Sequence, residues 1–420
     1  MATFEVTNGI KGGQTWGGGS VTRFGSLGAG MHSPAQDTEA RDQVLVRSSY
    51  TLGNMYVRVM TNTSTGSYDF RSRINAANGA LLVTILTLET GAFQDTVNTD
   101  SPVAGDLVNY SVLHPAVGSI LTSIVGFTMV NATGNNTVLV ANTIDSAGVA
   151  QASTLTRYQL IGGGIEINIT TEANAQYTVR SSATLSNLRV FVIANTSPGT
   201  SVVRTRVNVA DGAQSVSILT TQTGSFEDTT NSDSVVAGDE INYQMVTPAG
   251  GGSLTWFAFQ LKSAGTGRQV ALGGDAVLSA DRFEPAEGAL QAGAADAEAL
   301  HQIGARSTFT ASNLFVNVRA HGASSGVDFT LRVGGVSSAL TLNVADSTTG
   351  LFENTTNTVN LVSGNLYNTL VDHGGGAGSI TFTLIGFQNG PTSGGGGYPS
   401  QMLNKKPRRA GRVTQGLRVP

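Results

Sequence analysis

The chain has no cysteine, few charged residues and few aromatic ones. Without cysteine, neither a disulfide framework nor a zinc site with thiolate ligands can form. Charged residues make up 12% of the 420 residues, about half the share of an ordinary soluble domain, so solubility has to rely on serine, threonine, asparagine and glycine. The sequence also lacks an apolar run of about 18 residues and a secretory signal. We therefore expect synthesis in the cytosol and no membrane partner.

The residues that are abundant favour strands over helices. The chain has 53 glycines and is rich in valine, threonine and leucine, a combination typical of short strands joined by tight turns. Its length is sufficient for about two to four domains, each with its own core. An all-β protein with several domains is therefore expected.

One stretch of sequence occurs three times. TGAFQDTVNTDSPVAGDLVNY, which starts at Thr90, recurs as TGSFEDTTNSDSVVAGDEINY at Thr223 and as TGLFENTTNTVNLVSGNLYNT at Thr349. The copies are separated by 133 and then 126 positions, and these offsets relate two arginines, one asparagine and two glycines in each copy: Arg47, Arg180, Arg306; Arg73, Arg206, Arg332; Asn54, Asn187, Asn313; Gly91, Gly224, Gly350; Gly105, Gly238, Gly364. A period this long predicts that each copy is a complete domain, because solenoid repeats are much shorter.

Each copy has the pattern of an antiparallel β domain. LGNMYVRVMTN, for example, alternates apolar and polar residues with the period of a half-buried strand. Asn78-Gly79 and Asp211-Gly212 are favoured hairpin turns. We therefore predict an all-β fold made of three tandem antiparallel β-sandwich domains, with extended N- and C-terminal arms.

The repeat sets the expected domain boundaries. We place the modules at 21–130, 155–262 and 280–389, with a linker or hairpin at 131–154 and a linker at 263–279. Residues 1–20 and 390–420 are too rich in glycine and proline to build a core. Both are therefore predicted to be arms.

Apolar and turn positions persist among the copies, whereas several acidic ones do not. Two aspartates of the first two copies become asparagine in the third: Asp95 and Asp228 correspond to Asn354, and Asp106 and Asp239 to Asn365. A carboxylate that carried out the chemistry of every copy could not be lost in this way. We therefore expect no enzymatic activity, no catalytic residues and no cofactor. The oxygen-bearing side chains of two loops could ligate calcium: Asp95, Asn98 and Asp100, and Asp228, Asn231 and Asp233. Turns in which such side chains bond to local backbone are the favoured interpretation.

Other features have plain interpretations. The five histidines share no position among the copies, so no metal site is expected from them. IGGGIEIN, from Ile161 to Asn168, does not open a helix and is interpreted as a loop. The alanine-rich segment 281–300 predicts one short helix. Trp256 lies in an apolar strand and is expected in the core.

The C-terminal arm is strongly basic. KKPRRAGRVTQGLR, which starts at Lys405, holds six basic residues, and removing them from the net charge of −4 leaves about −10 for the remainder. Clustered lysine and arginine can bind phosphate, but no aromatic residue is interleaved. We therefore favour docking on an acidic protein surface over nucleic acid. The candidate docking residues are Trp16, Tyr398, Met402, Leu403, Lys405, Lys406, Arg408, Arg409 and Arg412.

The repeated motifs resemble those of a known class of viral module. S/T-x-G/S-N-L-x-V-x-V, T-x-R-V-N and F-x-D-T-T-N-S followed by V-x-A-G-D together resemble β-sandwich modules that recur in structural and fibre proteins of tailed bacteriophages. The resemblance implies a jelly-roll-like fold, a tendency to associate in threes, and no enzymatic activity. The third copy departs from the pattern, because Tyr110 and Tyr243 correspond to Thr369.

The same resemblance implies a component of the virion, assembled in the cytoplasm of the bacterial host. The expected partners are the major capsid protein or other virion proteins, and further copies of the chain as a trimer or pseudo-trimer. We favour a minor capsid protein that decorates or cements the head, because no coiled-coil shaft is visible. The alternatives are a collar or tail fibre component that binds a host receptor or glycan, and an enzyme such as a polysaccharide depolymerase. The modules could face one another or pair with other chains.

Overall fold

The computed structural model describes most of the chain up to residue 390. The described residues are 2–17, 19, 21–27, 38–115, 117–131, 136–143, 148–152, 154–165, 169–265, 268–286, 288–290, 297–305 and 308–390. Within these ranges the protein consists of strands and three short 3-10 helices, Glu39–Arg41, Glu172–Ala175 and Glu298–Leu300. The predicted all-β fold is confirmed.

Three modules follow one another along the chain, each with strands in the same order. Module 1 contains β1 (Ala2–Gly17), β2 (Thr22–Gly25), β3 (Val44–Leu45), β4 (Tyr50–Asn62), β5 (Tyr68–Ile74), β6 (Ala77–Ile85), β7 (Gly91–Asp100), β8 (Leu107–Leu113) and β9 (Ser119–Asn131). Module 2 contains β10 (Asn136–Thr143), β11 (Val149–Ala152), β12 (Thr156–Gln159), β13 (Gly163–Ile165), β14 (Tyr177–Thr178), β15 (Ala183–Asn195), β16 (Ser201–Val207), β17 (Ala210–Ile218), β18 (Gly224–Val235), β19 (Glu240–Val246) and β20 (Ser253–Gly265). Module 3 contains β21 (Arg268–Leu278), β22 (Arg282–Glu284), β23 (Gly288–Leu290), β24 (Ile303–Gly304), β25 (Phe309–His321), β26 (Val327–Val333), β27 (Val336–Val344), β28 (Gly350–Leu361), β29 (Leu366–Asp372) and β30 (Ile380–Gly390).

Each module is a sandwich of two antiparallel sheets. The long sheets have the orders β1-β9-β4-β7, β10-β20-β15-β18 and β21-β30-β25-β28. The short sheets have the orders β2-β8-β5-β6, β12-β19-β16-β17 and β22-β29-β26-β27. Alternate residues of both sheets, such as Leu52, Val57, Phe70 and Val112 in module 1, are buried between them, as the period-two pattern predicts.

The first strand of every module lies where the sequence predicts an arm or a linker. β1 covers most of the predicted arm 1–20 and pairs with β9 from Ala2 opposite Asn131 to Gly17 opposite Ser119. In the same way, β10 and β11 occupy the predicted linker 131–154 and pair with β20, and β21 occupies 263–279 and pairs with β30. The assignments of an N-terminal arm and two linkers are therefore wrong. These strands are held by backbone hydrogen bonds to a strand that is distant in sequence, which the glycine content of the flanking segments does not reveal.

Short parallel strands join the modules. β23 pairs with β21 of its own module and, at Ala289 opposite Ile10, with β1 of module 1. β13 pairs with β10 and lies against β21 of module 3. The loop predicted for IGGGIEIN is therefore a strand at Gly163–Ile165, and the helix predicted for 281–300 is replaced by two strands and a 3-10 helix. Small residues allow the backbones of neighbouring modules to approach closely here.

The repeated asparagines mark a β-bulge. Asn54, Asn187 and Asn313 have φ values of 47°, 58° and 51°, and at each of them the pairing register of the strand shifts. Asparagine tolerates this left-handed conformation better than most residues. The backbone at a bulge therefore accounts for the repeat of this residue.

The departure of module 3 at Thr369 is accompanied by a change on the opposite strand. The residues that face each other are Gly25 and Tyr110, Gln159 and Tyr243, and Glu284 and Thr369. A Cβ atom at Gly25 would lie 2.3 Å from the ring of Tyr110. Where the tyrosine is replaced by threonine, the larger and fully buried Glu284 stands opposite. Compared with module 1, side-chain volume in module 3 is thus shifted to the opposite strand, whereas module 2 buries both Gln159 and Tyr243.

We expect Gly25→Ala to destabilise module 1, because the added methyl group overlaps the buried ring of Tyr110. Overpacking of this kind costs on the order of 1–3 kcal/mol in the free energy of unfolding, which denaturant titration of the full chain measures. Gly53→Ala is the matched control, since a Cβ there meets Thr99 Cγ2 and Thr128 Oγ1 at an ordinary 3.5 and 3.6 Å. Equal stability of the two variants would contradict this account.

Candidate functional site

One strand position contacts the neighbouring module in every copy. It is Tyr56 in β4, Arg189 in β15 and Phe315 in β25. Tyr56 belongs to the buried core of module 3, and Phe315 belongs to that of module 2. Arg189 donates a hydrogen bond to the backbone oxygen of Gln43 in module 1, at 3.3 Å. Module 1 thus packs against module 3, module 3 against module 2, and module 2 against module 1, so the modules form a closed ring with pseudo-threefold symmetry.

The first arginine triplet lies at the junctions of this ring. Arg47 of module 1 binds Glu227 of module 2, with 3.0 Å between Nη2 and Oε2. Arg180 of module 2 forms the equivalent ion pair with Glu353 of module 3. Arg306, the third member, lies outside the described residues. Two junctions therefore share one ion pair, made between equivalent positions of successive modules.

The junction between modules 1 and 2 is polar. Arg189 shares Glu227 with Arg47, with its Nε 3.5 Å from Oε1. Gln260 donates from Nε2 to the backbone oxygen of Gln43 at 3.1 Å and accepts a bond from Arg189 Nη1 at 3.0 Å. Burial lowers the pKa of Arg189 to about 10, opposed by Glu227 and assisted by Arg47, so this guanidinium remains charged at neutral pH. Such a paired, hydrogen-bonded charge fixes the orientation of two modules.

The junction between modules 2 and 3 is built from aromatic contacts. Phe315 meets Tyr177 edge to face, with 6.0 Å between ring centroids. The Arg180 guanidinium lies 4.5 Å from the centroid of Phe315, within cation–π range. Asn317 adds a hydrogen bond from Nδ2 to the backbone oxygen of Ala173 at 3.1 Å. The equivalent arrangement of two modules is therefore stabilised by different side chains at this junction.

The junction between modules 3 and 1 combines the buried contacts of Tyr56 with an open cleft. A cleft of about 370 Å³ separates Tyr56 and Gln94 of module 1 from Gly304, Ala305 and Leu366 of module 3. Gln94 occupies the position of Glu227 and Glu353 in the other modules. The glutamate that forms the ion pair at the other two junctions is thus replaced by an uncharged residue here.

The second arginine triplet forms an ion pair that the sequence analysis missed. Each arginine binds a glutamate of the 3-10 helix in its own module through two hydrogen bonds: Arg73 with Glu39 at 2.9 and 3.0 Å, Arg206 with Glu172 at 2.8 and 3.1 Å, and Arg332 with Glu298 at 2.6 and 3.1 Å. The glutamates have the same offsets of 133 and 126 positions as the arginines, so the signal was present in the sequence. This pair ties the 3-10 helix to the short sheet.

The aspartates that vary between copies cap turns. Asp228 Oδ1 accepts bonds from the backbone N–H groups of Thr230 and Asn231 at 3.1 and 3.0 Å, and its Oδ2 accepts one from Ser215 at 2.8 Å. Asp95 makes the equivalent contacts in module 1. The turn interpretation is confirmed. In the part of the chain that the structure describes, no group of three or more histidine, aspartate or glutamate side chains is placed to hold a metal ion.

Module 3 shows why the charge of this aspartate can be lost. Asn354 Oδ1 keeps both turn bonds, from the N–H groups of Thr356 and Asn357 at 3.0 Å. Its Nδ2 donates to the backbone oxygen of Thr341 at 2.7 Å, in place of the bond that a carboxylate accepts. An amide therefore serves this turn as well, with one hydrogen bond reversed in direction.

Two of the histidines occupy equivalent positions in different modules. His114 and His373 occupy equivalent positions in modules 1 and 3, with Thr247 between them in module 2, so the statement that they share no position is wrong. Both are buried. His114 stacks on Tyr68 with 6.0 Å between centroids, and burial lowers its pKa, opposed by a hydrogen bond to Pro115 and assisted by Arg23. It is therefore a neutral core residue at pH 7.

Of the candidate docking residues, Trp16 lies in a described range, and it is a core residue. Its side chain is 2% exposed, its Nε1 donates to Thr122 Oγ1 at 2.8 Å, and it packs edge to face on Phe70. The prediction that Trp16 anchors a partner is wrong, because β1 adds to the long sheet of its own module. Trp256 is fully buried as predicted. The remaining candidates, Tyr398, Met402, Leu403, Lys405, Lys406, Arg408, Arg409 and Arg412, lie outside the described residues.

Comparison with known proteins adds little. No protein-family model and no curated protein matches the chain. A solved structure of the infectious bursal disease virus Gx strain aligns with 93% of this chain and 81% of that one, at 10% identity and a TM-score of 0.19; a likeness this weak carries no argument. Among the described elements, no helix has the length and apolar character needed to cross a membrane.

Replacing Glu227 with glutamine should weaken the junction between modules 1 and 2. Arg47 and Arg189 would lose their shared carboxylate, at a cost of about 1–3 kcal/mol in the free energy of unfolding, measured by denaturant titration. The control is Asp211→Asn, which removes an exposed partner of Arg204 and Arg206. Because Arg206 keeps its ion pair with Glu172, the cost should be at most about 1 kcal/mol. If the two variants were equally stable, Glu227 would not hold the junction.

A second expectation concerns acid stability. Burial alone would raise the pKa of Asp228, but hydrogen bonds from the Asn231 amide and from three backbone N–H groups lower it from 3.8 to about 2. A carboxyl with a lowered pKa contributes stability that is complete above its unfolded value and is lost as the pH falls through its folded value. The free energy of unfolding should therefore decrease from about pH 4 to pH 2.

Asp228→Asn should remove this part of the pH profile. At pH 7 it should cost at most about 1 kcal/mol, because an amide can keep both turn bonds, as Asn354 does in module 3. Asp346→Asn, at an exposed turn, is the control and should leave the profile unchanged. A profile for Asp228→Asn as steep as that of the parent chain would show that another group is responsible.

Proposed function

We propose that the protein is a non-enzymatic structural component of a virus particle, which attaches as a ring of three β-sandwich modules. The observation that carries this proposal is the cyclic contact made by Tyr56, Arg189 and Phe315 with successive modules. Contacts between unlike surfaces that close on themselves give one chain the symmetry that other assemblies obtain from three. A rigid unit with pseudo-threefold symmetry suits a repeated threefold or quasi-threefold site on a shell.

The use of the repeated residues supports a mechanical role. The asparagines stand at bulges, the second arginine triplet holds the 3-10 helices, and two members of the first triplet join modules. Each of these roles is structural and is filled within the chain. The repeated asparagines and the described arginines are therefore accounted for by the shape that they maintain.

For the place on the particle, we infer a minor capsid protein that decorates or cements the head of a tailed bacteriophage. The resemblance of the repeated motifs to phage modules supports this choice, as does the pseudo-threefold ring. The partners would then be the major capsid protein or other virion proteins, and the protein would be assembled into the virion in the host cytoplasm. We also propose that whole rings associate with one another.

One face of the ring is suited to attachment. The start of β1 and the ends of β9, β20 and β30 lie at the same end of the long sheets, where β10 and β21 also begin, as the pairs Ala2 with Asn131, Asn136 with Ala264, and Arg268 with Asn389 require. The basic segment 391–420 follows in sequence after the end of β30 on this face. We infer that this face is turned toward an acidic surface of the shell.

The copy number on purified particles of the virus that encodes the chain tests this function. For head decoration we expect on the order of one hundred copies or more, because shell sites are multiplied by symmetry; a quantitative gel against the major capsid protein measures this. A few tens of copies or fewer would favour the alternative of a collar or tail fibre component that binds a receptor or glycan. Absence of the chain from the particles would reject the structural role.

The control is a chain that ends at residue 403. It retains every described strand, since β30 ends at Gly390, and it lacks the six basic residues. We expect lower occupancy on the particles with unchanged thermal unfolding. Full occupancy would reject docking by the tail and leave attachment to the module surfaces.

A further inference from the structure

The cleft at the junction between modules 3 and 1 is large enough for a small ligand and is open to solvent. Its volume of about 370 Å³ falls in the range of small-ligand sites, about 300–1,000 Å³. Tyr56 and Ala305 form its buried part, being 5% and 3% exposed, while Gln94 and Ser363 lie at its exposed edge. A ligand could therefore enter from solvent and reach an aromatic ring.

Smaller residues at three positions produce this space. The residues at equivalent positions in the other two modules are larger: Gly304 corresponds to Leu45 and Thr178, Ala305 to Val46 and Val179, and Ala92 to Ser225 and Leu351. A Cβ atom added at Gly304 would meet only Leu366 Cδ2, at 4.0 Å, and Gly304 has no positive φ that would require glycine. The backbone and the neighbouring atoms therefore leave room for a side chain at Gly304.

The residues around the cleft differ in charge from those of the other junctions. Its described lining residues are uncharged, and Gln94 stands where Glu227 and Glu353 form ion pairs elsewhere. Asn54, Gln94, Thr96 and Ser363 supply amide and hydroxyl groups, which both donate and accept hydrogen bonds. A neutral ligand with several hydroxyl groups matches them.

The apolar part of the lining further restricts the chemical class of the ligand. The Leu366 side chain and the small accessible part of Tyr56 form an apolar surface against which an apolar face can pack. A sugar ring combines such a face with hydroxyl groups along its edge. We propose that this cleft binds a neutral saccharide, as a free monosaccharide or as the terminal unit of a glycan. The site lies within one chain, so it does not depend on where the ring attaches to a particle.

Saturation-transfer NMR on the full chain tests the proposal with D-glucose, D-galactose and N-acetyl-D-glucosamine as separate probes. We expect transfer to at least one of them, with a Kd on the order of 1 mM. Gly304→Leu restores the residue found at Leu45 and fills the cleft, so the affinity should fall by about tenfold or more. Thr178→Leu places leucine at the equivalent position of module 2 and should leave transfer unchanged.

A second pair of variants separates filling of the cleft from misfolding. Ala92→Leu introduces the residue that module 3 has at Leu351, and Ser225→Leu is its counterpart in module 2. Ala92→Leu should abolish transfer while thermal unfolding stays that of the parent chain, and Ser225→Leu should keep transfer. The proposal is overturned if no probe shows transfer, if both cleft variants bind as the parent does, or if the module 2 controls lose binding equally.

Discussion

The assembly depends on one contact between unlike surfaces, repeated from module to module. The long sheet of each module, at Tyr56, Arg189 or Phe315, packs against the segment around the 3-10 helix of its neighbour. A contact of this kind must either close or continue without end. Here the three contacts close on themselves, and the ring closes within one chain.

Ionisable groups in this fold have two different fates, which hydrogen-bond geometry explains. A turn that needs an acceptor for two N–H groups is served by a carboxylate in Asp228 and by an amide in Asn354. The pair of Arg332 with Glu298 uses two parallel bonds to both carboxylate oxygens, which a single amide oxygen cannot accept. Charge is thus lost where one acceptor atom is sufficient and kept where two are needed.

The sequence predicts the sandwiches because their strands alternate and their turns use asparagine and glycine. It fails at β1, β10 and β21, whose stability comes from backbone bonds to a strand that is distant in sequence. The ion pair of Arg73 with Glu39 spans 34 residues, and only the shared offsets could reveal it. The ring itself could not be derived from the sequence, because Tyr56, Arg189 and Phe315 have no side-chain chemistry in common. They are equivalent in their strand position and in facing the neighbouring module.

Joining three modules in one chain also allows the junctions to differ. In a trimer of identical chains every substitution appears at all three interfaces, so a change that opens one opens all. Here Gln94, Gly304 and Ala92 alter a single junction, while Arg47 with Glu227 and Arg180 with Glu353 hold the other two. The buried Tyr56 and the parallel pairing of β23 with β1 hold module 3 beside module 1. The surface of the cleft at this junction can therefore change without loss of the ring.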